Sequence, residues 1–206
     1  MSDHDPRAPG FPWGATLTGL LVLIILGAGV GTPMLLKSRR EARIRDLYGA
    51  LREMASIQSD YFRNDRDGNR IMDFWTGDLA SLQVVRSARD GSELRLLRPS
   101  LARADTMPIL PPSTAPESFE GYLFRALDKD NNRPDWIYRV DTDGSGRKVH
   151  NTERFGICAH PEEGGADRPI FIINEYHTIW HRSDGKLHFN WPDDNELKYN
   201  YSRFDY

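Results

Sequence analysis

The chain has 206 residues, with Lys+Arg 27 against Asp+Glu 30 and a formal net charge of -3. A sequence pI near 6.1 leaves no basic surplus for a nucleic-acid backbone, and nucleic acid is not expected as a partner. Mean hydropathy is -0.60, yet 11% of the residues are aromatic, too many for a disordered chain. The lone cysteine, Cys158, excludes an intrachain disulfide framework and zinc sites built on two or four cysteines.

Residues 1–14 form a short polar leader. From Ala15 to Leu36 the sequence is uncharged and matches the roughly 20 residues that cross a bilayer as a helix. Residues 15–36 are therefore expected to be a transmembrane helix, with the lipid bilayer as a partner. A cationic flank follows at Lys37, Arg39, Arg40, Arg43 and Arg45, while Ile44, Leu47, Leu51, Met54 and Tyr61 keep helical spacing over residues 37–63. One helix from about Ala15 to about Phe62 is expected, about 70 Å long at 1.5 Å per residue, with its second half turned onto a globular head.

The head, residues 64–206, begins with an Asp-, Asn- and Gly-dense loop and a short helical turn near Gly77–Leu82. Residues 86–118 read as loop, with Pro108, Pro111, Pro112 and Pro116 excluding regular structure at their end. Strands are expected at 121–127, 135–140, 154–160, 169–176, 177–183 and 186–191, as an antiparallel sheet with a hairpin turn at Asp184-Gly185. The aromatic tail from Asn195 to Tyr206 either adds an edge strand or packs across that sheet. The expected fold class is α+β, a long N-terminal helix, half of it transmembrane, packed on a small antiparallel sheet.

Three acidic turns place oxygen donors at alternate positions, as Ca²⁺ requires. Asp65, Asp67, Asn69 and Asp73 form the fullest set and are the candidate Ca²⁺ ligands; Asp128, Asp130, Asn132 and Asp135, and Asp141, Asp143 and Ser145, are lesser ones. The Asp141 turn lacks the closing Glu of an EF-hand, since its twelfth position is Thr152. The competing account of all three is a solvated turn whose side chains bond their own backbone. Cys158 with His160, and His177 with His181, have strand spacing that allows a shared face, but no orienting third group accompanies the thiol. No catalytic residue is assigned and no enzyme is expected. The tryptophans Trp75, Trp136, Trp180 and Trp191 read as packing residues in a small head.

Several segments carry a family resemblance. Gly10-Phe11 before the apolar run resembles the processing junction of prepilins, and Thr32-Pro33-Met34-Leu35-Leu36-Lys37-Ser38-Arg39-Arg40 resembles a helix segment of such proteins. Gly121-Tyr122-Leu123-Phe124, Phe155-Gly156-Ile157-Cys158-Ala159-His160-Pro161-Glu162-Glu163-Gly164 and Ile170-Phe171-Ile172-Ile173-Asn174-Glu175 are similar to head segments of type IV pilin-like proteins and type II secretion pseudopilins. The resemblance implies a single-pass subunit of the inner membrane with a periplasmic head. Its partners would be itself or other pilin-like subunits, and its role structural or accessory in a pilus or secretion pseudopilus. The fifth position counted from Phe11, where the family carries Glu, is Ala15. That departure favours the other expectation, a non-polymerising, membrane-tethered binding module stabilised by Ca²⁺.

Overall fold

A computed structural model describes residues 13–109, 115–133, 135, 137–138, 151–163, 168–183 and 189–204, with the side chains of the first helix described from Met34 onward. Helix α1 spans Trp13–Asn64. The chain divides into two compact units, Met1–Ile44 and Arg45–Tyr206. The expected fold is corrected in its first half: among the described residues no helix is long and apolar enough to cross a membrane. The physical reason is charge, because the described part of α1 carries Lys37, Arg39, Arg40, Glu41 and Arg43 within its first turns. Most of the uncharged segment 15–36 and the Gly10-Phe11 junction lie outside the described residues or side chains.

In the second unit, α1 buries Leu47, Ala50, Leu51, Met54, Ala55, Gln58 and Tyr61. Their spacing puts them on one face of a helix of 3.6 residues per turn. Against that stripe stands a five-stranded antiparallel sheet in the order β3-β4-β5-β6-β7. Its strands are β3 (Tyr122–Ala126), β4 (Gly156–Pro161), β5 (Ile170–Asn174), β6 (Ile179–Arg182) and β7 (Ser202–Arg203). The register aligns Phe124, Ala159, Phe171, His181 and Ser202 across one face, and Arg125, Cys158, Ile172, Trp180 and Arg203 across the other. Helix α1 covers the first face: the Tyr48 and Phe204 rings lie 5.7 Å apart, Phe204 stands edge-on to Phe171 at 5.4 Å, and Ser59 bonds His177 at the β5–β6 turn.

Every residue of β4 and β5 is buried, so the second face is also covered. Leu127, Tyr138, Cys158, Ile170, Ile172, Trp191 and Tyr201 form that second core, with Trp180 and Leu197 packed on it. Gly156 is required there, since a Cβ would meet Leu127 Cδ1 at 2.8 Å and Tyr138 Cδ2 at 3.1 Å. The tail supplies both alternatives expected of it. Asp193 caps helix α3 (Asp194–Asn200) by accepting the Glu196 N–H, and Ser202–Arg203 then pairs as the edge strand.

The segment read as loop contains two small elements whose signals are tertiary. Val85–Arg86 (β1) and Glu93–Leu94 (β2) pair as a two-stranded ribbon, and Pro99–Ala102 makes the single turn α2. The turn expected near Gly77–Leu82 is a 3₁₀ helix at Ala80–Gln83. It is held by the buried Asp105 carboxylate, which accepts the N–H groups of Leu79 at 2.7 Å, Ala80 at 2.9 Å and Met107 at 2.9 Å. Burial raises the Asp105 pKa, opposed by those three donors. Residues 135–140 form no strand among the described residues; Ile137 makes an isolated bridge to Lys129. Residues 186–188 of the expected 186–191 strand and the Asp184-Gly185 turn lie outside the described residues, and of the remainder Trp191 makes an isolated bridge to Asp130.

Leu51 is fully buried at the centre of the helix stripe. Leu51→Ala is expected to lower the unfolding free energy by about 2–5 kcal/mol, measured by chemical denaturation, because it removes apolar contacts and leaves a cavity.

Candidate functional site

The sheet's second face does not close completely. A cleft of about 460 Å³ opens between the end of the sheet, α3 and the segments around Asp130 and Arg154. Register explains its floor: Asn174 ends β5 and Trp180 lies on β6, both on the face away from α1. Trp191 forms a parallel bridge with Asp130 and is held by the bond from its N–H to the Lys129 carbonyl, 2.8 Å, which brings the segment after 188 against the 128–132 turn. Asn132 ties that turn to α3, its Oδ1 accepting the Asp194 N–H at 2.8 Å.

Two charged groups of the cleft, Arg154 and Asp130, have partners within the protein. Arg154 pairs with Glu175 at 3.1 Å, and burial raises the Glu175 pKa even with that guanidinium beside it. Asp130 is 4% exposed and accepts the Asn132 N–H at 2.8 Å and the Tyr138 hydroxyl at 3.4 Å. Burial, with the Glu175 and Asp130 charges nearby, pushes the Tyr138 hydroxyl well above the ordinary tyrosine range. Asp130 and Asn132, two residues of the second acidic turn, are thus wall residues of a cleft, and Asp128 instead pairs with Arg125 at 2.9 Å. The third acidic turn, Asp141, Asp143 and Ser145, lies outside the described residues.

The first acidic turn closes the C-terminal end of α1. Asp65 sits at φ 45° and accepts the Arg70 N–H, while Arg89 reaches its carboxylate at 3.4 Å. Asn69 brings Asp67 and Asp73 together, donating its amide to Asp67 Oδ2 at 2.9 Å and Asp73 Oδ2 at 3.2 Å, and its Oδ1 accepts the Ile71 N–H. Burial first, then the adjacent Asp67 carboxylate, raise the Tyr61 hydroxyl above its ordinary range. Gly68 at φ 67° is fixed by the turn that follows, where a Cβ would meet Ser87 Oγ at 2.8 Å. Of the four candidate ligands, Asp67 and Asp73 are bridged by the Asn69 amide, while Asp65 is engaged by the Arg70 N–H and by Arg89. No group of three or more His, Cys, Asp or Glu among the described residues is arranged to hold a metal ion.

The Cys–His pairings separate. Cys158 and His160 lie on the second face, whereas His181 lies on the first, against Phe171 and Phe204. Burial pushes the Cys158 thiol up to about 12, so it is neither a ready metal ligand nor a ready nucleophile. Spacing in sequence missed the closest hydroxyl–imidazole contact, Ser59 Oγ to His177 Nε2 at 2.8 Å, because its partners are 118 residues apart. This contact ties α1 to the β5–β6 turn, where His177 adopts φ 58°.

Burial lowers the pKa of His160, His177 and His181, with Arg52 and Arg63 adding to the effect at His177. Their imidazoles stay neutral in the folded chain while an unfolded chain, with ordinary values near 6.5, takes up protons. Stability is therefore expected to be full above about pH 6.5 and to fall as pH drops below it. Denaturation midpoints measured across that range, with His160→Gln flattening part of the decline, check this.

No family model, curated protein or solved structure matches the chain.

Proposed function

We propose that the chain is a structural or accessory subunit that works through helix and head contacts with copies of itself or with similar subunits, as pilin-like proteins do. The observation that carries this reading is the change of character along α1. From Leu47 the helix buries one stripe in its own head, whereas Met34, Leu35 and Leu36 stand 70%, 64% and 61% exposed. A consecutive apolar run left uncovered is the kind of surface that another chain covers. The placement of the head outside the cytoplasm rests on the family resemblance alone and belongs to the same proposal.

A single cysteine placed on the uncovered run tests it, because the native Cys158 is fully buried and its thiol is held protonated. In cells expressing the full chain with Leu36→Cys, a bismaleimide is expected to trap dimers and higher adducts. Monomer alone would overturn assembly through this helix and leave the alternative of a binding module that does not polymerise, for which the cleft on the sheet's second face is the supporting observation.

Calcium at Asp65, Asp67, Asn69 and Asp73 is part of the proposal in a restricted form. An ion would have to displace the Asn69 amide from between Asp67 and Asp73 and take its oxygen instead. Ca²⁺ is then expected to raise the melting temperature of the full chain, and Asp67→Ala to abolish the rise. Superimposable curves with Ca²⁺ and with a chelator would leave the amide as the bridge.

A further inference from the structure

We infer that the cleft beside Trp180 and Trp191 is a binding site for a small organic cation, an ammonium or guanidinium group on a short apolar stem. Its volume, about 460 Å³, falls within the range of about 300–1,000 Å³ that small-ligand sites occupy. Four charged side chains line it, Asp130, Arg133, Arg154 and Asp194, and their partners decide which charge a ligand should carry. Arg154 faces the Glu175 carboxylate at 3.1 Å, and the second oxygen of Glu175 is buried without a hydrogen bond. That pair offers the cleft no surplus positive charge. Arg133 is exposed and also interacts within the protein.

The two carboxylates of the wall are in the opposite position. Asp130, 4% exposed, accepts from neutral donors, the Asn132 N–H at 2.8 Å and the Tyr138 hydroxyl at 3.4 Å, and no cation pairs with it among the described residues. Asp194 stands in the first turn of α3 with its N–H tied to Asn132 Oδ1. Its exposed carboxylate makes no hydrogen bond or ion pair among the described residues. Asp130, Asp194 and Glu175 thus stand against Arg133 and Arg154, which leaves the cleft a negative surplus.

The rings select the same ligand. Tyr176, 69% exposed, the half-buried Trp180 and Trp191 line these walls, and no ring or cation packs on any of the three among the described residues. Elsewhere in the head ring faces are occupied, Phe189 by Arg125 at 4.0 Å and Phe119 by Arg98 at 4.8 Å. An aromatic face is the negative side of the ring quadrupole, and it attracts a cation most strongly where water is displaced. An anionic ligand would meet Asp130 and Asp194 unneutralised, and a neutral apolar one would strip water from a carboxylate and return nothing to it. A hard metal ion requires a shell of oxygens, whereas three of these wall residues are aromatic.

The inference is independent of assembly through α1 and has its own test. Isothermal titration of the full chain at low salt with agmatine and with butylammonium is expected to give saturable binding to at least one, with a Kd of about 1 mM or tighter. Butyrate and butanol, which keep the stem and change the head, are expected to give none. Asp194→Asn removes the unpaired charge and Tyr176→Ala an exposed ring, and circular dichroism reads the fold of each separately. Each is expected to weaken binding about tenfold, equivalent to about 1.4 kcal/mol. Absence of saturable binding by both cations, binding of butyrate or butanol as tight as theirs, unchanged affinity in either folded variant, or tighter binding of Ca²⁺ than of both organic cations would each overturn the inference.

Discussion

The sheet is a layer that has to be covered twice. β4 and β5 carry long apolar runs with little polar alternation, and a strand that is apolar on both faces cannot leave either to water. On the first face the cover is the stripe from Leu47 to Tyr61, which fixes where α1 must lie and brings Ser59 to His177. On the second face no long helix lies among the described residues, and the cover they make is assembled from pieces: Leu127, Tyr138, Trp191 and the short α3 with Leu197. Pieces tile less completely than one helix, and the cleft lies where they meet the end of the sheet. The position of the candidate site thus follows from how the second core is built.

The polar groups obey the same constraint. Carboxylates that burial would otherwise make costly are used as braces, Asp105 for the 3₁₀ turn and Asp78 for the N–H of Ile109 and the hydroxyl of Ser81. In the loop after α1 the acidic residues are divided among backbone N–H groups, the Asn69 amide and Arg89. The alternate spacing that reads as a cation loop is also the spacing that lets Asp and Asn side chains reach backbone two residues on, and in the folded chain Asp67 accepts the Asn69 N–H in that way.

Much of the head was legible because its signals are local. Period-two and β-branched runs marked β3, β4, β5 and β6, and the 3–4 spacing of Leu47, Leu51, Met54 and Tyr61 marked the buried face of α1. The ribbon β1–β2 was not legible, since two-residue strands carry no period, and neither was α3, whose cap at Asp193 lies in a tail dominated by aromatic residues. Among the acidic turns, spacing named Asp65, Asp67, Asn69 and Asp73 as one group; in the folded chain the Asn69 amide joins Asp67 and Asp73, while Asp65 accepts the Arg70 N–H. For Asp130 and Asn132 spacing offered a lesser cation turn or a self-bonded one and gave no sign of the cleft they line, because what surrounds them comes from β5, β6 and α3.

By itself the sequence determined the elements that repeat in one dimension: the amphipathic stripe of α1, the apolar strands, and an uncharged run from Ala15 to Leu36 whose chemistry is fixed by composition alone. It also determined that a thiol framework was excluded, since one cysteine cannot pair within the chain. Only the tertiary structure decided that Cys158 and His181 face opposite sides of the sheet, that Ser59 meets His177, and that Trp180, Trp191, Asn174 and Asp130 line one cleft. The reason is that strand register and the closing of α3 over the second face set which distant residues become neighbours, and neither is encoded in any single window of the chain.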